Sequence, residues 1–228
     1  MIRWLQDLLM FFFPVHCPVC GKSLQHPGEV LCLGCEYRMP RTGFRDDPEN
    51  PVSMIFWGRV PVECGTSLFR FEKGSSYQAL LHELKYRGNR RSGLYLGRLL
   101  GAELKQTSFS TCSLIIPVPL HRKRYRERGY NQSELIGRGM SEVMGIPMAT
   151  DVLVRTGQHD SQTTMGRLDR FRNVSGNFRL SSHPPDLSGK MVLLVDDVVT
   201  TGATLEACCR ALLDSFSCGI YIATVCCA

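Results

Sequence analysis

Two adjacent carboxylates, Asp196 and Asp197, separate a purely apolar run from a cluster of hydroxyls in the stretch from Met191 to Leu205. Met191-Val192-Leu193-Leu194-Val195 reads as a short strand buried on both faces of a parallel sheet, and the two acids are expected to end it. Val198, Val199, Thr200, Thr201, Gly202, Ala203 and Thr204 then lead into a segment from Leu205 to Leu213 that is helical in propensity and spacing. A strand, a hydroxyl-rich turn and a helix N-terminus make a cradle for an anion. The first-turn N–H groups have no intrahelical partner, and the helix dipole favours negative charge there. Threonine hydroxyls add donors, and Gly202 lets the backbone approach closely. The two acids would repel a phosphate. They are placed instead to hold a neutral diol or a divalent cation beside it. A phosphate, a diol and a cation such as Mg²⁺ describe a ribose 5-phosphate.

A second constellation lies near the N-terminus. Of eleven cysteines, four fall at Cys17-x2-Cys20 and Cys32-x2-Cys35. Two such pairs give four thiolates on two knuckle turns, the tetrahedral geometry of a structural zinc. Gly21 and Gly34 are expected to support the knuckles by taking positive φ. Four sulfurs also suit iron, and a single pair would suit redox chemistry. The remaining seven cysteines show no ligand spacing and read as core filler.

The elements that must position these groups fit in 228 residues: one α/β domain plus a small accessory module. The domains expected are an N-terminal helix with the cysteine module (1–45), a linker (46–59) and the α/β domain (60–228). Six uninterrupted apolar residues from Leu8 to Phe13 are too few to span a bilayer, and no cleavage site follows. An amphipathic helix stopped by Pro14 is expected there, in a cytoplasmic protein that is not integral to a membrane. The odd cysteine count agrees with a reducing compartment.

Charge is concentrated rather than spread. From Glu83 to Arg138 the chain carries twelve Lys or Arg against four Glu, although the whole chain is only +6. That suits a polyanion, with a solvated basic face as the bland alternative. Val60 to Phe71 is expected as one or two strands, with a hairpin around Gly65. Helices are expected over Tyr77–Tyr86 and Ser92–Lys105, the first capped by Ser75 and Ser76. Ser113 to Leu120 reads as a short buried strand running into a turn with two prolines. The basic stretch from His121 to Gln132 is expected as a loop before a helix from Ser133 to Met144. Pro119, Leu120, Arg122 and Arg128, with Tyr125 and Tyr130 interleaved, suit either a pyrophosphate clamp or a single-strand platform. Further strands are expected at Asp151–Val154, Phe178–Leu180 and Ile220–Cys226. Between Arg155 and Asn177 no apolar period is visible, which suits a functional lid or a disordered segment.

The Asp196-to-Thr204 stretch closely resembles the 5-phosphoribosyl-1-pyrophosphate (PRPP) signature of type I phosphoribosyltransferases. Along the chain the resemblance widens. The four cysteines are followed by Lys85-Tyr86-Arg87-Gly88, Pro117-Val118-Pro119-Leu120, Arg128-Gly129-Tyr130-Asn131-Gln132, Arg155-Thr156 with Gln162-Thr163, and Arg172-Asn173-Val174. In that order they resemble the ComF (competence protein F, GntX-like) family, with Tyr130 in place of the family's phenylalanine.

The resemblance implies a type I phosphoribosyltransferase fold, a parallel sheet flanked by helices, beside a small four-cysteine zinc module. It implies a PRPP site at Asp196 to Thr204 with Mg²⁺, in which Asp196 and Asp197 are the catalytic pair. A mobile loop would bring Arg155, Arg167, Arg170 or Arg172 over the leaving group. It implies a role in bacterial DNA uptake, with single-stranded DNA and a DNA-uptake helicase as partners. The alternative is a non-enzymatic nucleotide sensor that handles single-stranded DNA on the same fold, because no segment identifies an acceptor base.

Overall fold

The computed structural model describes residues 15–26, 28–86, 90–156 and 178–228. In chain order the elements are α1 (Leu33–Tyr37), α2 (Pro51–Met54), β1 (Cys64–Arg70), α3 (Gln78–Tyr86) and α4 (Arg90–Leu104). A 3-10 turn (Ser108–Thr111) precedes β2 (Leu114–Pro117), α5 (Arg122–Arg128) and α6 (Gln132–Met144). Then come β3 (Leu153–Arg155), β4 (Phe178–Leu180), β5 (Met191–Val199), α7 (Ala203–Leu213) and β6 (Gly219–Cys227).

Four of these strands form a parallel sheet in the order β1-β6-β5-β2. The apolar run of β5 explains the two layers around it. Leu193 and Val195 face a core with Leu84 of α3, Leu96 and Leu100 of α4, and Ile136 of α6. Val192 and Leu194 face the opposite core with Leu205, Cys208 and Leu212 of α7. All four side chains are fully buried, each worth about 1.5–3 kcal/mol of transfer free energy. A strand enclosed on both sides has no polar face to show, so its sequence does not alternate.

Helices α4 and α6 approach closely along Gly93, Gly97 and Gly101 of the first and Gly139 of the second. A Cβ at Gly97 would lie 2.1 Å from the Ile136 carbonyl oxygen, and one at Gly139 2.2 Å from that of Leu94. This contact seats α6, whose N-terminus enters the site described below.

The structure departs from sequence expectation at several points. β5 does not end at the acids but continues through them, pairing Asp196 with Thr224 and Val199 with Cys227 of β6. β1 is one strand, without a hairpin: Gly65 pairs in parallel with Ile222, a partner distant in sequence. The basic stretch is not a loop over Arg122–Arg128 but the helix α5. The His121 ring Nδ1 accepts from the Lys123 N–H at 3.1 Å, and Gly129 closes the helix in the left-handed conformation. Arg, Lys and Glu are good helix formers, and no apolar stripe announces them because α5 buries nothing. β3 and β4 pair with each other as a separate antiparallel ribbon. Residues 46–59, expected as a linker, are folded: Asn50 caps α2, and Val52 and Phe56 are buried. The expected N-terminal helix before Pro14 and the segment 157–177 lie outside the described residues.

The cysteine module packs on the domain rather than standing apart. Leu24, Val30, Leu31 and Met39 share the core that holds Leu80 and Leu96. The Tyr77 hydroxyl donates to the Cys35 carbonyl at 2.6 Å, Tyr95 donates to Glu36, and Arg41 pairs with Glu103.

Candidate functional site

The carboxyl ends of β2 and β5 open into a cavity of about 790 Å³. β5 supplies Asp196, Asp197 and Val198, the following turn Thr200, and the first turn of α7 Thr204. β2 leads to Val118, Pro119 and Leu120, α5 contributes Arg124, Glu127 and Arg128, and the start of α6 brings Tyr130 to Ser133. Lys85 and Arg155 complete the wall. Two strand-to-helix junctions thus meet where an open parallel sheet binds ligands.

Asp196 lies at the floor. Its Oδ1 accepts from the Ser133 hydroxyl at 2.8 Å and from the Asp197 N–H at 2.9 Å. Burial, with the Asp197 charge beside it, pushes its carboxyl up to about 7. Asp197 accepts from the Val198 N–H at 2.8 Å and faces the Lys85 ammonium at 3.4 Å. At the rim Arg155 stacks over Phe178, 5.2 Å from the ring centroid. Burial and the nearby Arg124 charge lower its pKa.

Beyond the acids the chain turns at Gly202, with φ at 73°. The N–H groups of residues 200–205 donate to no acceptor among the described residues. Four cationic side chains and three carboxylates therefore share the cavity wall beside a row of unpaired amides. That arrangement can hold a ligand with an anionic group at each end and neutral hydroxyls between.

A phosphoribosyl transferase domain model matches residues 131–228. Competence protein F of Haemophilus influenzae is 36% identical over 225 residues, covering 90% of this chain and 93% of that relative. DNA utilization protein YhgH of Escherichia coli K12 is 29% identical, covering 92% of this chain and 83% of the relative. Competence protein ComFC of Bacillus subtilis is 28% identical over 87% of this chain and 71% of its own length. The chain belongs to the competence protein F family. The resemblance seen in the ordered short motifs thus extends over nearly the whole chain, and the parallel sheet flanked by helices is the expected architecture.

Of the residues singled out in the sequence, the cavity gathers Asp196, Asp197, Val198, Thr200, Thr204, Pro119, Leu120, Arg128 and Arg155. Val199 is buried in the core instead, and Thr201, Gly202 and Ala203 shape the turn without lining the cavity. Arg122 is exposed on α5 and does not line it. Arg167, Arg170 and Arg172 lie outside the described residues.

Several wall residues were not singled out as site residues: Lys85, Glu127 and Asn131 to Ser133. Asn131 caps α6, accepting from the Ser133 N–H at 3.2 Å and donating to the Val118 carbonyl at 3.0 Å. Gln132 is 2% exposed, and its amide nitrogen has no hydrogen-bond partner. A buried amide left unpaired beside a cavity is costly unless a ligand completes it. The available signal was Asn131, a residue type favoured as an N-cap, directly before a helix.

The four module cysteines also converge. Their sulfurs lie within 4.8 Å of one another, and Cys20 and Cys32 approach to 3.6 Å. Gly21 takes positive φ, 71°, as the knuckle requires. Gly34 does not: it lies in the helical turn α1. None of the eleven cysteines is in a disulfide.

Proposed function

We propose that the cavity binds PRPP, or a related ribose phosphate, together with Mg²⁺, and that the protein serves bacterial DNA uptake as a cytoplasmic phosphoribosyltransferase-family protein. The observation that carries this reading is the half-buried Asp196–Asp197 pair between the unpaired amides of residues 200–205 and the cations Arg124, Arg128 and Arg155. The 5-phosphate would take the turn, the ribose hydroxyls the acids, and the pyrophosphate the arginines. Ribosyl transfer breaks the C1–O bond to pyrophosphate through an oxocarbenium-like state. It needs positioning and charge stabilisation rather than a protein nucleophile. Asp196 and Asp197 would hold Mg²⁺, which would supply positive charge to neutralise the leaving pyrophosphate. Titration with PRPP tests the division of labour. Asp197→Asn is expected to weaken binding more with Mg²⁺ than without it, and Thr204→Val equally in both. If both variants bind as tightly as the parent, the assignment fails. A pyrophosphate-release screen over nucleobases then asks whether bound PRPP reacts.

We infer that Cys17, Cys20, Cys32 and Cys35 hold a structural zinc. Zn–S bonds of about 2.3 Å in a tetrahedron put sulfurs about 3.8 Å apart. The Cys20–Cys32 separation of 3.6 Å suits that cage. With all four positions thiolate, no open site for chemistry remains. Metal analysis of protein prepared without chelator should give about one zinc per chain. Iron, or intact cysteines without metal, contradicts this.

One observation favours a second activity beside the first. At 100° per residue, Arg124, Glu127 and Arg128 share the side of α5 that lines the cavity, and Arg122, Tyr125 and Arg126 lie on the other, with Lys123 at its edge. Cations around an exposed ring suit a single-stranded DNA backbone with stacked bases. A DNA-uptake helicase is the protein partner this handling would serve.

A further inference from the structure

Arg59 comes from the segment whose composition reads as a linker, yet it holds the turn after β5 from behind. Its Nη1 donates to the Thr201 carbonyl at 2.8 Å and to the Ile55 carbonyl at 3.0 Å. Its Nη2 pairs with Glu206 in the first turn of α7. Glu206 also accepts from Arg210 at 2.7 Å, and Arg210 donates to the Arg59 carbonyl at 3.0 Å. Hydrogen bonding from Arg210, with Arg59 adding to it, holds the Glu206 carboxyl below its usual range. The frame behind Arg59 is firm. Asn50 donates to the Gly65 carbonyl at 2.7 Å, and the Gly65 N–H donates to the Ser53 hydroxyl at 2.8 Å. Ile55 and Phe56 press on Gly202, where a Cβ would lie 2.5 Å from Ile55 Cγ2.

A trans peptide points its carbonyl and its N–H in opposite directions. With the Thr201 carbonyl pinned to Arg59, the Gly202 N–H must point to the other face of the turn, away from Arg59. Glycine at φ 73° would otherwise let this peptide flip at little cost and turn the donor away. The guanidinium also offsets the Glu206 charge, which by itself would oppose an anion at the same helix N-terminus. A lysine could not replace it, since one ammonium lacks the fork that spans two carbonyls and a carboxylate.

We propose that Arg59 is a positioning residue for the phosphate turn: it sets the Thr201–Gly202 peptide so that the Gly202 N–H faces a bound phosphate. This rests on the ribose-phosphate reading of the cavity. The test is titration of the full chain and of Arg59→Met with two probes, ribose 5-phosphate and Mg²⁺-pyrophosphate. Ribose 5-phosphate is expected to bind the variant about tenfold more weakly, the scale of one charge-supported hydrogen bond. Mg²⁺-pyrophosphate, held at the arginine end, is expected to bind both proteins alike. Equal weakening of both probes, or of neither, overturns the role of Arg59. Failure of the parent to bind ribose 5-phosphate overturns the reading of the cavity and this proposal with it. A measurement on the parent alone covers a variant that does not fold. The Gly202 amide proton should move downfield in NMR spectra as ribose 5-phosphate saturates, and saturation without that shift overturns the proposal.

Discussion

Gly202, between β5 and α7, and Gly129, between α5 and α6, both border the cavity's wall segments, with φ of 73° and 75°. Their surroundings could hardly differ more. Gly202 is packed against Ile55 and Phe56 in a turn braced by Arg59, whereas a Cβ at Gly129 would meet nothing within 4 Å. The acidic junction after β5 is fixed at the buried Gly202 and by the Arg59 brace. The basic junction after β2 is held at its ends, by the His121 cap and the turn at Gly129, and α5 between them buries no residue. One is preorganised for a small anion of fixed shape. The other offers charge in solvent, which tolerates a ligand of variable path.

The sharpest way to break this contrast is the same substitution at both glycines. Gly202→Ala meets both the positive-φ penalty and a clash with Ile55, and is expected to cost about 3 kcal/mol or more. It should abolish phosphate binding as well. Gly129→Ala meets only the backbone penalty, about 1–2 kcal/mol. Denaturant unfolding of the two variants measures the difference. Equal losses would mean that the two junctions are held alike.

Conditional on pH, and so directional, is the effect of Asp196→Asn on the ligand-free protein. The Asp196 carboxyl is raised from 3.8 to about 7, so the folded state keeps a proton that the unfolded chain releases. Folding stability from this group is full below about pH 4 and is lost as pH rises through about 7. Asparagine carries no such burden. The variant should match the parent near pH 3 and exceed it near pH 8 by on the order of 4 kcal/mol, while losing ribose binding. A variant no more stable than the parent at pH 8 would show that Asp196 is not buried as a charge.

The smallest effect on stability is expected from replacing Arg122, Lys123 and Arg126 together by serine. None lines the cavity, so unfolding and PRPP affinity should be unchanged. If these residues track single-stranded DNA, the salt slope of its binding should flatten by about two units, at roughly 0.7 per neutralised phosphate. An unchanged slope would remove this face of α5 from nucleic-acid handling.

How far these features could be read in advance follows from where the information sits. Asp196 to Thr204 was legible because strand, acids, hydroxyls and helix are contiguous, and the local chain determines their relative placement. The helices around Leu84, Leu96 and Ile136 were legible from apolar spacing. The straight course of β1 was not, because its partner β6 enters more than 150 residues later. The segment from Asp46 to Arg59 looked like a linker because it opens with the turn formers Asp46, Asp47, Pro48 and Pro51. Its burial depends on Gly65 and Gly202, which local composition does not reveal. Helix α5 was missed for a related reason: it has no apolar face, so periodicity had nothing to detect. Lys85 and Gln132 reach the cavity from separate elements, and only the sheet brings them together.

Isothermal titration of the full chain with PRPP and Mg²⁺ tests the ribose-phosphate site most directly. Saturable one-to-one binding is expected, competed by ribose 5-phosphate and lost in Gly202→Ala but kept in Gly129→Ala. Absence of binding by the parent chain, or binding that survives Gly202→Ala unchanged, would contradict a PRPP site at the turn after β5.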